Sequence, residues 1–271
     1  MKVILKKLKN ATLYIGIAML MLIIILAAAA PYICRYDPVS QDLYATLQAP
    51  GAGEHLLGTD QLGRDMLSRL LYAARTDLVI MAAAEVIPFI SGIFIGMVSG
   101  YFGGRIEWII SLLTDTFIAF PYYLLVIVVA FVTGAGIHGI FVTFMIVGWL
   151  IYARVAKPLT ASMRSSEWVQ AAKLMGYSDI RIIIREILPN VLPQAVVVLM
   201  TDMAALLVAI VTLGYLGIGI TAPAPDWGSM ISDGQALISS APYLSLLPGL
   251  MVVYTGISLS LIGDGLADRW R

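Results

Sequence analysis

The sequence predicts an all-α integral membrane protein with six transmembrane helices and both chain ends on the inner side. Three observations predict it. The 271-residue chain is 60% hydrophobic and only 13% charged, where a soluble domain carries about 25% charged residues. Six stretches, at roughly 11–30, 78–98, 108–132, 138–157, 191–219 and 243–263, are apolar over about the 20 helical residues that a hydrocarbon core of about 30 Å requires. Basic residues are also distributed asymmetrically, which orients membrane helices. With the N-terminus inside, Lys2, Lys6, Lys7, Lys9, Arg105, Arg154, Lys157, Arg164, Lys173, Arg181, Arg185, Arg269 and Arg271 lie inside, against Arg35, Arg64, Arg69 and Arg75 outside.

A formal net charge of zero gives no sign of a nucleic-acid partner. The single cysteine, Cys34, excludes an intramolecular disulfide and a cysteine-based zinc site, and is expected to be inert. The first stretch has the basic start and Ala-rich end of a secretory leader. Its apolar run of about 20 residues exceeds the 7–15 of a leader, so it is read as a retained anchor. The chain is expected to divide into residues 1–77 (inner tail, first span and outer segment) and a five-helix core, 78–271, with an inner loop at 158–190.

Residues 31–77 form the longest outer segment. A helix is expected from Leu62, with Leu62, Met66, Leu67, Leu70 and Leu71 on one side and i,i+4 pairs Asp60–Arg64 and Asp65–Arg69 on the other. Either it is an interfacial helix whose solvated ion pairs contribute little, or Asp60, Arg64 and Asp65 help gate a path or meet an outer partner. The outer loop 221–242 carries Asp226 and Trp227 and no Lys or Arg. It is read either as a segment dipping into a path mouth or as a plain surface loop.

The inner loop between the fourth and fifth spans carries the strongest local signal. Gln170 to Met175 favour a helix, and Gly176 suits its left-handed C-cap. Ser178 or Asp179 then caps a second helix by accepting a backbone N–H. Arg181 and Arg185 sit one turn apart there, Ile182, Ile183 and Ile187 give an apolar side, and Pro189 closes the helix or kinks the entry to the fifth span. Small side chains at Ala171 and Ala172 admit a partner surface. The alternative is an amphipathic segment lying on the inner membrane face.

Three acids, Glu85, Asp115 and Asp202, fall within the apolar stretches. Ionisable groups there cost several kcal/mol and usually face a water-filled cavity or a partner. From the helical rise, Asp202 lies about 16 Å from the inner start of its span, and Glu85 and Asp115 about 10 Å from the outer and inner faces. Asp115 has a bland reading, capped by Thr114 or Thr116. Glu85 and Asp202 are candidates for a translocation path, unless an internal hydrogen bond accounts for them. His55 and His138 are isolated and make no metal site; His55 is read as stabilising a turn.

Gln170-Ala171-Ala172, Gly176, then Leu188-Pro189 resembles the EAA loop of ABC importer permeases, with Gln where Glu is usual. The resemblance implies that residues 170–189, including Tyr177, Ser178 and Asp179, dock on ATPase subunits and transmit their closure. The string from His55 to Leu78 resembles the segment before the second span of dipeptide, oligopeptide and nickel permease subunits. So do Gly100-Tyr101-Phe102-Gly103-Gly104, Asp115 with Phe120-Pro121, Tyr152-Ala153-Arg154, Tyr215 to Gly219, Asp226-Trp227-Gly228 and Gly263-Asp264. This implies a type I, binding-protein-dependent permease fold of the second-permease type, in a bacterial cytoplasmic membrane. The implied partners are a paralogous permease, two ATPases and an outer substrate-binding protein.

For substrate, Asp202, twelve residues before Gly214, resembles an Asp of nickel-type subunits. Ile210 stands where peptide-type subunits carry a Glu, and compact length also suits the nickel type. The expected substrate is nickel or another divalent metal, free or chelated, with Asp202 as a metal contact; the alternative is di- or oligopeptides. No G-x-x-x-x-G-K-[ST] phosphate loop is present, so the chain is expected to bind no cofactor and to leave ATP and Mg to the partner ATPases. A lone secondary transporter offers no reason for the Gly-broken inner loop. An intramembrane hydrolase lacks a nucleophile–base pair, since His138 has no suitably spaced Ser99 or Ser111.

Overall fold

The computed structural model describes residues 2–270, with side chains from residue 11 onward. The charges of Lys2, Lys6, Lys7, Lys9 and Arg271, which weigh in the orientation, lie outside the described side chains. Among the described residues the chain is helical, with no β-strand and one isolated bridge between Thr59 and Asp65. Five helical stretches are long and apolar enough to cross a membrane, or six if one bent pair counts as a span.

The first span is α1 (Lys2–Ile33), which packs along the last, α11 (Tyr243–Trp270). The second, α2 (Met66–Phe102), is 37 residues long and absorbs the outer helix expected from Leu62. That helix begins four residues later, because Asp65 is its N-cap: the carboxylate accepts the Ser68 N–H at 2.7 Å. Residues 58–65 are instead a turn held by Asp60.

The third span is a correction. Residues 108–132 were expected as one helix, but α3 (Gly104–Ile118) and α4 (Tyr122–Thr133) meet at 93°. Pro121 lacks an N–H and disfavours helical backbone at Phe120, so the chain turns at the Phe120-Pro121 pair. The fourth span is α5 (Ile137–Val147) and α6 (Trp149–Arg164), interrupted only at Gly148.

The inner loop holds α7 (Glu167–Leu174) and a short α8 (Asp179–Arg181). A π-helical turn, Ile182–Ile187, then joins α8 to α9 (Leu188–Tyr215). Pro189 therefore opens α9 in its first turn rather than closing the preceding helix. The outer loop 221–242 is not plain either: it contains α10 (Trp227–Gln235), capped by Asp226, whose carboxylate accepts the Ser229 N–H at 2.9 Å.

Helix α2 is the spine, and its main partner is α6. Three glycines one turn apart allow the approach. A Cβ at Gly92 would stand 2.4 Å from the Trp149 carbonyl oxygen, one at Gly96 2.6 Å from that of Ala153, and one at Gly100 2.2 Å from that of Lys157. No side chain fits along this line. The apolar interior forms two clusters. The larger runs through α1, α2, α4, α5, α6, α9, α10 and α11. The smaller sits at the inner end, where Ile93, Met97, Tyr101 and Tyr152 meet Val169, Ala172, Ile182, Ile183 and Ile187.

Candidate functional site

Two of the three membrane acids converge. Glu85 on α2 and Asp202 on α9 are within hydrogen-bonding reach of each other and of the Tyr152 hydroxyl on α6, which donates to Glu85. Glu85 is 4% and Asp202 9% exposed. Asp115 stands apart on the exposed side of α3, and Thr114 and Thr116 bond the backbone carbonyls of Ser111 and Leu112 rather than capping it.

Asp202 also lines a cavity of about 370 Å³. The broken pair α3–α4 supplies Phe117, Ile118, Phe120, Tyr122 and Leu125, and α5–α6 supply Val147, Leu150, Ile151 and Arg154. The Phe120-Pro121 break thus brings Phe117, Phe120 and Tyr122 to the same cavity wall as the Asp202 carboxylate. Arg154, counted at first with the inner-loop charges, lies in α6 on this cavity wall. It makes no ion pair with a described residue. The site is thus apolar with one acid and one base.

A second assembly lies at the inner end. Gly176, at φ +80°, ends α7 as expected, and the Ser178 hydroxyl accepts the Arg181 N–H at 3.4 Å. Of the two alanines, Ala171 faces out, whereas Ala172 is packed in the inner core. Leu174 is 90% and Ile180 70% exposed. Arg181 lies over the Tyr177 ring at 3.7 Å, and with Ser178, Ile180, Ile184 and Arg185 it lines a groove of about 310 Å³. Gln170 donates to the Arg164 carbonyl at 2.9 Å, leaving its carbonyl end outward. Leu188 and Pro189 lie in the first turn of α9.

The outer residues are buried rather than solvated. Arg64 Nε donates to Asp60 at 2.6 Å, as the i,i+4 spacing predicts. The expected Asp65–Arg69 pair does not form: Asp65 caps α2 and meets His55 Nδ1 at 2.9 Å, in the turn-holding role read for that histidine. Arg69 instead reaches Asp60 at 3.5 Å and Asp233 of α10 at 3.9 Å. Asp226 and Trp227 are 1% and 0% exposed. The Trp227 N–H donates to Asp77 at 2.9 Å, its indole to the Leu70 carbonyl at 3.3 Å. Burial raises the Asp226 carboxyl above its ordinary pKa, opposed by the hydrogen bonds of Ser229. Cys34 is half-buried, and burial raises its thiol.

Asp77 and Asp233 were not singled out from sequence. Tyr152 stood there only as part of the Tyr152-Ala153-Arg154 resemblance, and Arg154 in that and among the inner charges, with no place at the cavity. Asp233 and Arg64 are 169 positions apart, so no local pattern could pair them. Among the described residues no three His, Cys, Asp or Glu side chains group as for a metal ion.

Residues 92–271 match the family described as the inner membrane component of binding-protein-dependent transport systems. Residues 5–50 match the N-terminal TM domain of oligopeptide transport permease C. The dipeptide transport system permease protein DppC of Alkalihalophilus pseudofirmus is 34% identical, over 96% of this chain and 85% of its own length. The nickel transport system permease protein NikC of Escherichia coli K12 is 31% identical, over 94% and 92%. DppC of Bacillus subtilis is 33% identical, over 96% and 81%. In fold, the chain resembles a solved chain of the MetNI methionine ABC transporter in an inward-facing conformation, with a TM-score of 0.62 at 15% identity, covering 76% of this chain and 98% of that one.

Proposed function

The chain belongs to the family of binding-protein-dependent transport system inner membrane components, as a multi-pass inner-membrane permease subunit of an ABC importer in the dipeptide, oligopeptide and nickel group, and we propose that it carries short peptides. The carrying observation is the cavity of about 370 Å³ with Asp202 and Arg154 on its walls. That volume falls within the range of small-ligand sites, about 300–1,000 Å³. A short peptide has an ammonium at one end, a carboxylate at the other and apolar side chains between. Asp202, backed by Glu85, suits the first, and the planar guanidinium of Arg154 suits the second. The aromatic walls accept the side chains.

The nickel reading, first expected from Asp202, becomes the second reading. Two carboxylates meeting at Tyr152 favour it, as does the likeness to NikC over 92% of that protein. An isolated acid pair supplies too few ligands for a bare divalent cation, which takes four to six donors. The apolar lining also suits a peptide better than a hydrated ion.

In this reading the chain forms half of a translocation path with a paralogous permease, and an outer binding protein delivers the substrate. Of two ATPases in the transporter, one docks on α7, the groove at Arg181 and Arg185, and the exposed Leu174 and Ile180 of this chain. The ATPases bind and hydrolyse ATP with Mg, and this chain contributes no catalytic residue. The test is accumulation of labelled dipeptide and of radioactive nickel by proteoliposomes containing the complete transporter and its binding protein. ATP-dependent accumulation of dipeptide is expected. Accumulation of nickel without dipeptide overturns the peptide reading.

A further inference from the structure

The segment Gly100-Tyr101-Phe102-Gly103-Gly104 lines neither the cavity at Asp202 nor the groove at Arg181. Its tyrosine stands at the inner end of α2 and is 2% exposed. Its hydroxyl donates to the Asp179 carboxylate of α8 at 2.6 Å. The Lys173 ammonium of α7 sits 4.8 Å from the centre of its ring. One side chain of the spine helix is therefore held by both short helices of the inner loop, one through a charge-assisted hydrogen bond and the other through a cation over its ring.

The inner loop is continuous with the membrane domain at both ends, with α6 through Ser165-Ser166 and with α9 through the π-helical turn. Tyr101 adds a connection to α2, which is not covalent. Because Gly92, Gly96 and Gly100 seat α2 directly on the backbone of α6, a pull on Tyr101 moves α2 and α6 together. Sixteen residues earlier, about 24 Å along the helix, α2 carries Glu85, bonded to Tyr152 of α6 and in reach of Asp202 on α9. The two routes meet at this triad: one ends on Glu85 and Tyr152, the other on Asp202.

We propose that Tyr101 is a positioning residue of the transport cycle, a latch through which movement of the inner loop is passed to the α2–α6 pair and on to the cavity wall at Asp202. Without it, α2 follows the loop only through its apolar packing on the inner core, and the two sides of the triad lose their concerted motion. The proposal rests on the importer reading but not on the identity of the substrate.

The test uses the complete transporter with Cys34→Ser and Phe120→Cys, which places one thiol on the cavity wall. Its labelling rate by a water-soluble maleimide is compared between the nucleotide-free and vanadate-trapped states, alongside ATP hydrolysis. In the parent an ATP-driven change in labelling is expected; its absence there counts against the importer reading itself. In Tyr101→Phe the change is expected to shrink at least about fivefold per ATP hydrolysed. Asp179→Ala should match it, and the double variant should be no worse than either, since residues acting through one contact are non-additive. Asp179→Asn retains an acceptor and should keep most of the change. If Tyr101→Phe does not assemble with the ATPases, the exposed Asp179→Ala carries the same test. A full ATP-driven change in Tyr101→Phe or in Asp179→Ala overturns the latch.

Discussion

Asp60 ties together groups that the chain supplies from far apart. One oxygen accepts the N–H groups of Leu62 and Arg64, and the other meets the guanidinium groups of Arg64 and Arg69. The side chain is 4% exposed, so its loss leaves two buried cations short of a partner. Breaking a buried pair costs about 3–5 kcal/mol, and Asp60→Ala should lower the thermal midpoint of the detergent-purified transporter accordingly. A shift within error of zero would mean that water replaces the carboxylate. Asp226 adds a pH dependence of defined sign. A raised carboxyl pKa favours the neutral form in the folded chain, so its contribution is complete below the ordinary aspartate pKa of about 3.9 and is lost as pH rises through the raised value. Asp226→Asn should flatten that decline in melting temperature as pH rises above the ordinary aspartate pKa of about 3.9. An unchanged slope contradicts the assignment.

The helices differ in how plainly the sequence announced them. The inner loop was legible because its signals are local. A glycine at φ +80° ends one helix, a serine caps the next, and isoleucines at 182, 183 and 187 turn inward. Its π-helical turn was not legible, since a single widened turn is too short to set a period of its own. The length of α2 was not legible because Arg75, Thr76 and Asp77 interrupt its apolar run, whereas its start is set by Asp65 capping Ser68. The α2–α6 contact makes a direct prediction. Gly96→Leu places side-chain atoms where even a Cβ lies 2.6 Å from a carbonyl oxygen. Overpacking costs about 1–3 kcal/mol or more, and the variant should be recovered in low yield with a lowered melting temperature. A normal yield and melting temperature would mean that α2 and α6 are not locked. In the inner loop, Gly176→Val forces a left-handed backbone on a β-branched residue. It should reduce co-purification of the ATPases several-fold, and wild-type recovery would remove this cap from docking. Ala171, which faces out, is the position to enlarge for docking, because a larger Ala172 would disturb the inner core instead.

Across the whole chain, composition and charge asymmetry pointed to a membrane protein of six spans, and among the described residues five helical stretches are long and apolar enough, or six if the bent pair is one span. Composition and charge could not reveal that the third span breaks at Phe120-Pro121 and folds back over Asp202, since hydropathy is blind to a 93° bend. Nor could they bring Glu85, Tyr152 and Asp202 to one point, which needs three helices packed in register. The substrate reading changed for that reason: a lone buried aspartate suggests a cation, while an aspartate sharing an apolar cavity with an arginine suits a peptide. The account stands on that cavity being the path. Asp202→Asn and Arg154→Gln, each in the complete transporter in proteoliposomes, bring it to one measurement, the maximal rate of ATP-dependent dipeptide accumulation. Each should lower that rate about tenfold while the subunits still co-purify in wild-type proportion. Wild-type rates in both variants would contradict the account and put the path elsewhere in the molecule.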